Sequence, residues 1–474
     1  MTRHHRSFRG AVRTVVLAAL GIPVIASMAV PVPQRGEGQL AQPTPQQLAW
    51  QDLELGMFVH LAPQTWQDSE TDRMTVAPAD INPEKLDTDQ WVRVAEAMGA
   101  RFIVFVAKHE GGFCWWQTAT TDFGVRNTPW RAGRGDVLKD LAASCRKRGI
   151  PLGVYLSPQD RKHGVGVGGR AKEAGGQADY ERLFRQQLTE VLSRYGSSPG
   201  PPTRGSTGSP RPELVEGRQP RWGGISEVWF DGSLVFDVGD ILKRYAPRAV
   251  VFQGPQASIR WVGNEDGVAP YPAWNAVRFP KPGVKWGDYT AADSDANGNR
   301  WLPIECDARI RATWFWRTDN AQTLKSVERL MDMYYRSVGH GATLLLNQTP
   351  DRTGLIPEAD ARRAAEFGAE IRRRFGAPLA QTHGAGLQLT LRLAASTPVD
   401  HIVTMEDLRG GERVRSYIVE GQQDGTWQQL LAGTAIGHKK IDRIAPARVS
   451  EVRLRILESV GTPRIRQFAV FGTK

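Results

Sequence analysis

The sequence predicts an α/β protein, a (β/α)8-like barrel of the TIM type followed by a C-terminal antiparallel β-sandwich. From about residue 50, apolar runs of strand length alternate with amphipathic helical stretches over some 300 residues. Such alternation implies a parallel sheet, and its length favours a closed barrel. The last hundred residues change rhythm to short alternating segments separated by turn residues, which suits a sandwich. A chain of 474 residues with 41% apolar content can bury both cores.

LGMFVH (55–60) opens the barrel as a strand. Asp87, followed three residues later by Gln90, signals a capping box for a helix whose Trp91, Val94, Ala95 and Met98 share one face. FIVFVA (102–107) is apolar throughout, as expected of a strand covered on both faces. Asp136 starts the next helix with Val137, Leu138, Leu141 and Cys145 inward, Gly149 stops it, and LGVYLS (152–157) is again a strand. A long helix spans 178–195, and EVWF (227–230), a helix from Val238 to Tyr245 and AVVF (249–252) follow. IRATWFW (310–316) reads as a strand, a helix lies around 320–337, and ATLLLN (342–347) completes the set. An Arg- and Glu-rich helix (358–374) precedes the division between a barrel at 43–375 and a sandwich at 376–474. The stretch 197–220 breaks the rhythm. Fourteen of its 24 residues are Pro, Gly or Ser, so a disordered surface insertion with no part in catalysis is expected.

A net charge of +11 raises the question of a nucleic-acid partner. Five of the 61 basic residues and one of the 50 acidic ones fall in residues 1–38, which leaves +7 for the remainder. That excess is scattered among acids, with no basic block interleaved with aromatics, so no nucleic-acid partner is expected. Residues 1–38 carry a basic stretch, the apolar run TVVLAALGIPVIASMAV and small residues near Ala26 to Ala29. This is the pattern of a signal peptide and linker, implying export to the periplasm or the extracellular space. An uncleaved membrane anchor is the alternative reading, but the run is short for a span and contains Gly21 and Pro23, so no stable span is expected after removal of the signal. Cys114, Cys145 and Cys306 allow at most one disulfide. No C-x-x-C pair or histidine spacing suggests a metal, and no other cofactor is expected.

In a parallel barrel the functional groups sit where strands end. Those positions hold His60, then Lys108, His109 and Glu110, then Tyr155 and Asp160, then Asp231, and in a further loop Arg260, Asn264, Glu265 and Asp266. Asp231 lies in WFDGS, where Gly232 permits a sharp exit from the sheet; a turn or cap aspartate is the alternative reading. As a nucleophile Asp231 needs a partner acid, for which Glu265 or Glu305 could serve, and carboxyls about 5–5.5 Å apart would specify a retaining glycosidase. His60 and His109 suit hydrogen bonding to a polyhydroxylated ligand; a buried histidine satisfied by backbone is the alternative reading for either. Trp66, Trp115, Trp116, Trp229 and Trp261 lie near these loops and offer flat faces to a sugar ring, although the buried core is the usual place of a tryptophan. Gly164, Gly166 and Gly169 match G-x-G-x-x-G only formally and read as a flexible loop.

Seven ordered stretches carry a resemblance: GMFVHLAPQTW, LDTDQWVRVAEAMGARFIVFVAKHEGGFCWW, RGDVLKDLAASCRKRGIPLGVYLSPQDR, EVWFDGS, IRWVGNEDGVA, WLPIECDARIRATWFW and YYRSVGHGATLLLNQTPDRTGLIP. With them the chain resembles glycoside hydrolase family 29, the α-L-fucosidases, from about Trp50 to Pro357 and on through the sandwich. The resemblance implies a retaining exo-hydrolase with Asp231 as nucleophile, acting on a fucosylated oligosaccharide or glycoconjugate. IRWVGNE is similar to the subgroup acting on α-1,3/1,4-linked fucose, in which the Glu of GNE is the acid/base, a role that falls to Glu265. His60, Glu70, His109, Tyr155 and Arg260 match sugar-contacting positions, with Trp229 and Trp261 beside them. Where the family commonly has KHHDGF, this chain has Lys108-His109-Glu110-Gly111-Gly112-Phe113. A carboxylate in place of an imidazole is a charged acceptor, so Glu110 is expected at the sugar and a related α-L-sugar such as L-galactose becomes an alternative substrate. A carbohydrate-binding protein that kept the fold and lost turnover is the competing reading.

Overall fold

The computed structural model describes residues 40–196 and 224–472, so the signal-like segment 1–38 and the 197–220 insertion lie outside the described residues. Eight parallel strands follow one another around a barrel: β1 (Leu55–Val59), β2 (Phe102–Lys108), β3 (Leu152–Leu156), β4 (Ile225–Trp229), β5 (Val250–Phe252), β6 (Arg260–Trp261), β7 (Ile304–Arg309) and β8 (Thr343–Gln348). Hydrogen bonding is continuous from β5 back through β1 and β8 to β6, and a parallel bridge between Phe252 and Ile259 closes the remaining gap.

Side chains alternate across the wall, as a pleated strand requires. Phe58, Val104, Tyr155, Trp229, Phe252 and Leu345 fill the interior, while Met57, Ile103, Phe105 and Val154 face the outer helices. Helix α1 (Pro45–Gln51) precedes the barrel and α2 (Pro63–Gln67) follows β1. The longer outer helices are α3 (Thr88–Met98), α4 (Val137–Arg148), α5 (Gln177–Tyr195), α7 (Val327–Arg336) and α8 (Glu358–Phe375), with the short α6 (Gly239–Tyr245) between β4 and β5. Asp136 caps α4 by accepting from the Lys139 amide at 2.8 Å, and Gly149 ends it in the left-handed region at φ +70°.

Three local expectations change. Asp87 caps α3, but Gln90 turns outward to the Ile356 backbone at 2.8 Å, so no capping box forms. The strand expected at 310–316 is instead β7 at Ile304–Arg309; its polar IECDAR sequence hid a strand whose inward side chains are ionisable. Residues 310–316 form the loop beyond it. The Gly164–Gly169 segment belongs to a small antiparallel pairing of Val165–Gly166 with Arg170–Ala171.

Six antiparallel strands form the C-terminal sheet: β9 (Ala380–Ala385), β10 (Gln388–Glu406), β11 (Val414–Gln423), β12 (Thr426–Gly433), β13 (Lys440–Ser459) and β14 (Arg464–Phe471). Register breaks in the long strands β10 and β13, after Arg392 and after Val399, let one sheet wrap a single core as a sandwich. Val399, Tyr417, Val419, Val452, Phe468 and Val470 meet in that core.

The sandwich is bound to the N-terminal rim of β1. Asp52 accepts from His438 at 2.9 Å and from Arg466 at 2.7 Å, and Glu54 pairs with Lys439 at 2.7 Å. Among the described residues no helix is long and apolar enough to cross a membrane.

Candidate active site

Asp231 follows the last residues of β4 in a turn that its neighbour makes feasible. Gly232 has φ +72°, and a Cβ there would lie 2.6 Å from Val167 Cγ1, so glycine is required twice over. The Tyr155 hydroxyl donates to Asp231 Oδ2 at 3.0 Å. Protein atoms crowd the Asp231 carboxyl, and this loss of hydration raises its pKa against the opposing Tyr155 hydrogen bond, with the Glu265 charge raising it further.

An aromatic stack supports that geometry. Tyr155 stacks on Trp229 at 5.8 Å, Trp229 on Phe252 at 3.5 Å, and the Trp229 indole donates to Glu305 Oε2 at 2.8 Å. Trp229 is thus a buried floor beneath Tyr155.

Opposite lies a histidine pair. The Asn347 amide donates to the Trp314 carbonyl at 2.8 Å, which leaves its oxygen to accept from His60 Nδ1 at 2.7 Å. His60 Nε2 therefore presents a lone pair. Gln64 donates to His109 Nδ1 at 2.8 Å, so His109 Nε2 presents a proton; its ring stacks on Tyr155 at 5.6 Å. Burial depresses both imidazoles, His109 to about 4, so both are neutral. Phe315 packs edge-on against both rings.

Glu70 accepts from the Trp314 amide at 2.8 Å, and burial raises its pKa. Glu265 sits in the exposed loop after β6, where Trp314 Nε1 donates to Oε2 at 3.1 Å and the Arg309 guanidinium lies 3.4 Å from the same oxygen. Trp261 points inward and donates to Asp307 Oδ1 at 2.7 Å. The structure therefore brings together Asp231, Glu265, His60, Glu70, His109, Tyr155 and Trp261.

Other expected residues fall elsewhere. Arg260 alternates with the inward Trp261, so it leaves the barrel wall on the outer side. There it is buried against the Trp274 carbonyl at 2.6 Å and the Ser294 hydroxyl at 2.8 Å, away from Asp231. Glu110 is turned to its own loop: one oxygen accepts from the Asp72 amide at 3.1 Å and the other from Arg161 at 3.0 Å. Lys108 and Asp160 form a fully buried ion pair at 3.1 Å behind the site. Trp115 and Trp116 are core residues, and Glu305 lies at the start of β7, inside the barrel rather than at a strand end. Sequence reasoning missed Arg309, Trp314, Phe315, Asn347, Gln64 and Asp307. Once β7 is placed correctly, the alternation of Glu305, Asp307 and Arg309 would have marked two of them. Among the described residues no group of His, Cys, Asp and Glu could hold a metal ion, and all three cysteines are buried free thiols.

Comparison with known proteins is consistent across sequence and structure. The family described as Alpha-L-fucosidase matches residues 37–199. Alpha-L-fucosidase 1 of Arabidopsis thaliana is 30% identical over 455 residues, covering 85% of this chain and 82% of its own. A glycoside hydrolase 29 family member from an unknown rumen bacterium superposes with a TM-score of 0.78 at 30% identity, over 92% of this chain and 78% of that one. A Bacteroides thetaiotaomicron protein provisionally described as an α-L-fucosidase gives a TM-score of 0.81 at 32% identity, over 92% of this chain and all of that one.

Proposed function

We propose, from the premise that this chain belongs to the α-L-fucosidase family of glycoside hydrolases, that it releases terminal α-L-fucose from oligosaccharides or glycoconjugates by double displacement. The observation that carries this reading is the Asp231 carboxylate, steadied by Tyr155 on one oxygen and set among neutral imidazoles and a second carboxyl, Glu265, on a loop across the pocket.

Asp231 attacks the anomeric carbon while Glu265 gives its proton to the leaving oxygen. Water then hydrolyses the glycosyl-Asp231 ester with Glu265 as base. Tyr155 helps keep Asp231 ionised and oriented, because its hydrogen bond favours the carboxylate. His60 Nε2 accepts from a sugar hydroxyl and His109 Nε2 donates to one, while Glu70 accepts from another. Arg309 and Trp314 hold Glu265 between turnovers.

The IRWVGNE stretch supports a preference for α-1,3/1,4-linked fucose, and the basic, apolar and small-residue order of residues 1–38 supports export. Glu110, satisfied by Arg161 and the Asp72 amide, gives no reason to prefer L-galactose. Release of fucose from 4-nitrophenyl α-L-fucoside, followed by a panel of defined fucosylated oligosaccharides, tests the reading; sugar binding without release would sink it.

A further inference from the structure

Each inward polar residue of β7 meets an indole. Trp229 donates to Glu305, Trp261 donates to Asp307, and Arg309 lies 5.6 Å over the Trp314 ring. Glu305 belongs to the floor and Arg309 to Glu265, but Asp307 has no part in the mechanism above. It is buried, and the Trp261 indole donates to its Oδ1. No other side chain bonds its second oxygen among the described residues.

The charges that bear on Asp307 are Glu265 from the loop after β6 and Asp231 from the turn after β4. Asp307 precedes Arg309, the partner of Glu265, by two residues on the same inward face of β7, and its own partner Trp261 lies four residues before Glu265, so the carboxyl stands at the inner end of the pocket that holds the acid. Resting on the fucosidase reading, we propose that Asp307 is a substrate-contacting residue, a neutral carboxylic acid that donates a hydrogen bond from Oδ2 to a hydroxyl of the sugar held between Asp231 and Glu265.

Physical setting favours the proton on this carboxyl. Burial, joined by the neighbouring Glu265 and Asp231 charges, pushes Asp307 up to about 8, against the opposing indole hydrogen bond. The remaining charged or titratable neighbours along β7 are Glu305 and Cys306, which both feel Asp307, and Arg309, which is engaged by Glu265. A neutral acid can donate where an ionised one only accepts.

The test is the pH profile of kcat/KM on 2,4-dinitrophenyl α-L-fucoside, whose leaving group needs no general acid, so that Glu265 adds no alkaline limb. Wild type is expected to lose kcat/KM as pH rises past about 8, because the donor is then gone. Asp307→Asn keeps a donor of the same size, so its profile should stay flat to pH 9 with KM within about threefold of wild type. Asp307→Ala should raise KM roughly tenfold, the scale of one lost hydrogen bond. A wild-type alkaline limb in Asp307→Asn, or a wild-type KM in a folded Asp307→Ala, overturns the proposal while fucosidase activity stands. If Asp307→Ala fails to fold, the isosteric Asn variant decides. A wild type that turns over no fucoside overturns the functional reading and this proposal with it.

Discussion

Glu227 and Glu305 face each other inside the barrel with their outer oxygens tied to separate indoles, Trp50 on Glu227 Oε2 and Trp229 on Glu305 Oε2, both at 2.8 Å. The Oε1 atom of each meets no donor, and the charge of Glu227 bears directly on Glu305. Two ionised carboxylates cannot share such a place, so the pair keeps a proton. Gly153 makes the room: a Cβ there would stand 2.9 Å from Val104 Cγ2 and 3.0 Å from Glu227 Cβ.

This pair should set an alkaline limit on stability. Burial pushes both carboxyls up, and each raised group holds more proton folded than unfolded. Stability is then fully present below the ordinary glutamate range near 4.5 and is lost as pH rises toward the elevated folded values. Glu305→Gln retains a donor for Glu227 and removes one titration, so its urea-derived stability should fall less steeply between pH 6 and 9. The difference in slope should reach at most about 1.4 kcal/mol per pH unit. Parallel wild-type and variant slopes would refute the shared proton.

Lys108→Met should destabilise the fold by about 3–5 kcal/mol, because it strands the Asp160 charge in a site where both partners are fully buried. Gln187 and Tyr180 also bond the ammonium, at 2.9 and 3.4 Å, and lose their partner with it. Adding Asp160→Asn should recover part of the loss in denaturant unfolding. A single variant as stable as wild type would contradict the ion-pair assignment.

How much of this was legible in the sequence depended on whether neighbouring residues agreed. FIVFVA could only be a buried strand, and Asp136 with Gly149 bracketed α4 because caps act locally. IECDAR could not be read as a strand, since its three inward side chains are ionisable and find their partners on β4, on β6 and on the loops around 265 and 314. The place of Asp231 at a strand end was visible from EVWF and from its glycine. Arg260 was misplaced because side-chain alternation on a two-residue strand is set by its pairing with β7, a long-range fact.

Asp231→Gly should abolish turnover and leave the melting temperature close to that of wild type, since position 231 faces the pocket rather than the core. Azide should restore part of the rate through the vacated space and yield a fucosyl azide of inverted configuration. Undiminished activity would remove Asp231 from the chemistry.

Glu265→Ala should cost roughly two or more orders of magnitude on an oligosaccharide, the range of general acid catalysis. The first step on a dinitrophenyl fucoside should be hurt far less, and the covalent intermediate should accumulate. Glu305→Ala should instead impair both substrates alike, or the fold, because it opens the floor under Trp229. The opposite pattern would exchange their roles.

Acid inactivation should follow a carboxylate, not a histidine. Asp231 must be ionised to attack, and its raised pKa means kcat/KM falls as pH drops through that elevated value. His60 and His109 are held below their ordinary range, so neither should add a limb between pH 6 and 7. A limb there that vanishes in a His60 or His109 variant would show otherwise.

The fastening of the sandwich to the barrel rim also bears on how the protein can be handled. Cutting the chain after α8 would leave Asp52 and Glu54 without the His438, Arg466 and Lys439 that bond them, and would bare the Tyr335 ring that His401 stacks against. The barrel is therefore not a separable reagent. Shortened versions made for crystallisation or display should precipitate, and calorimetry of the intact chain should show one endotherm.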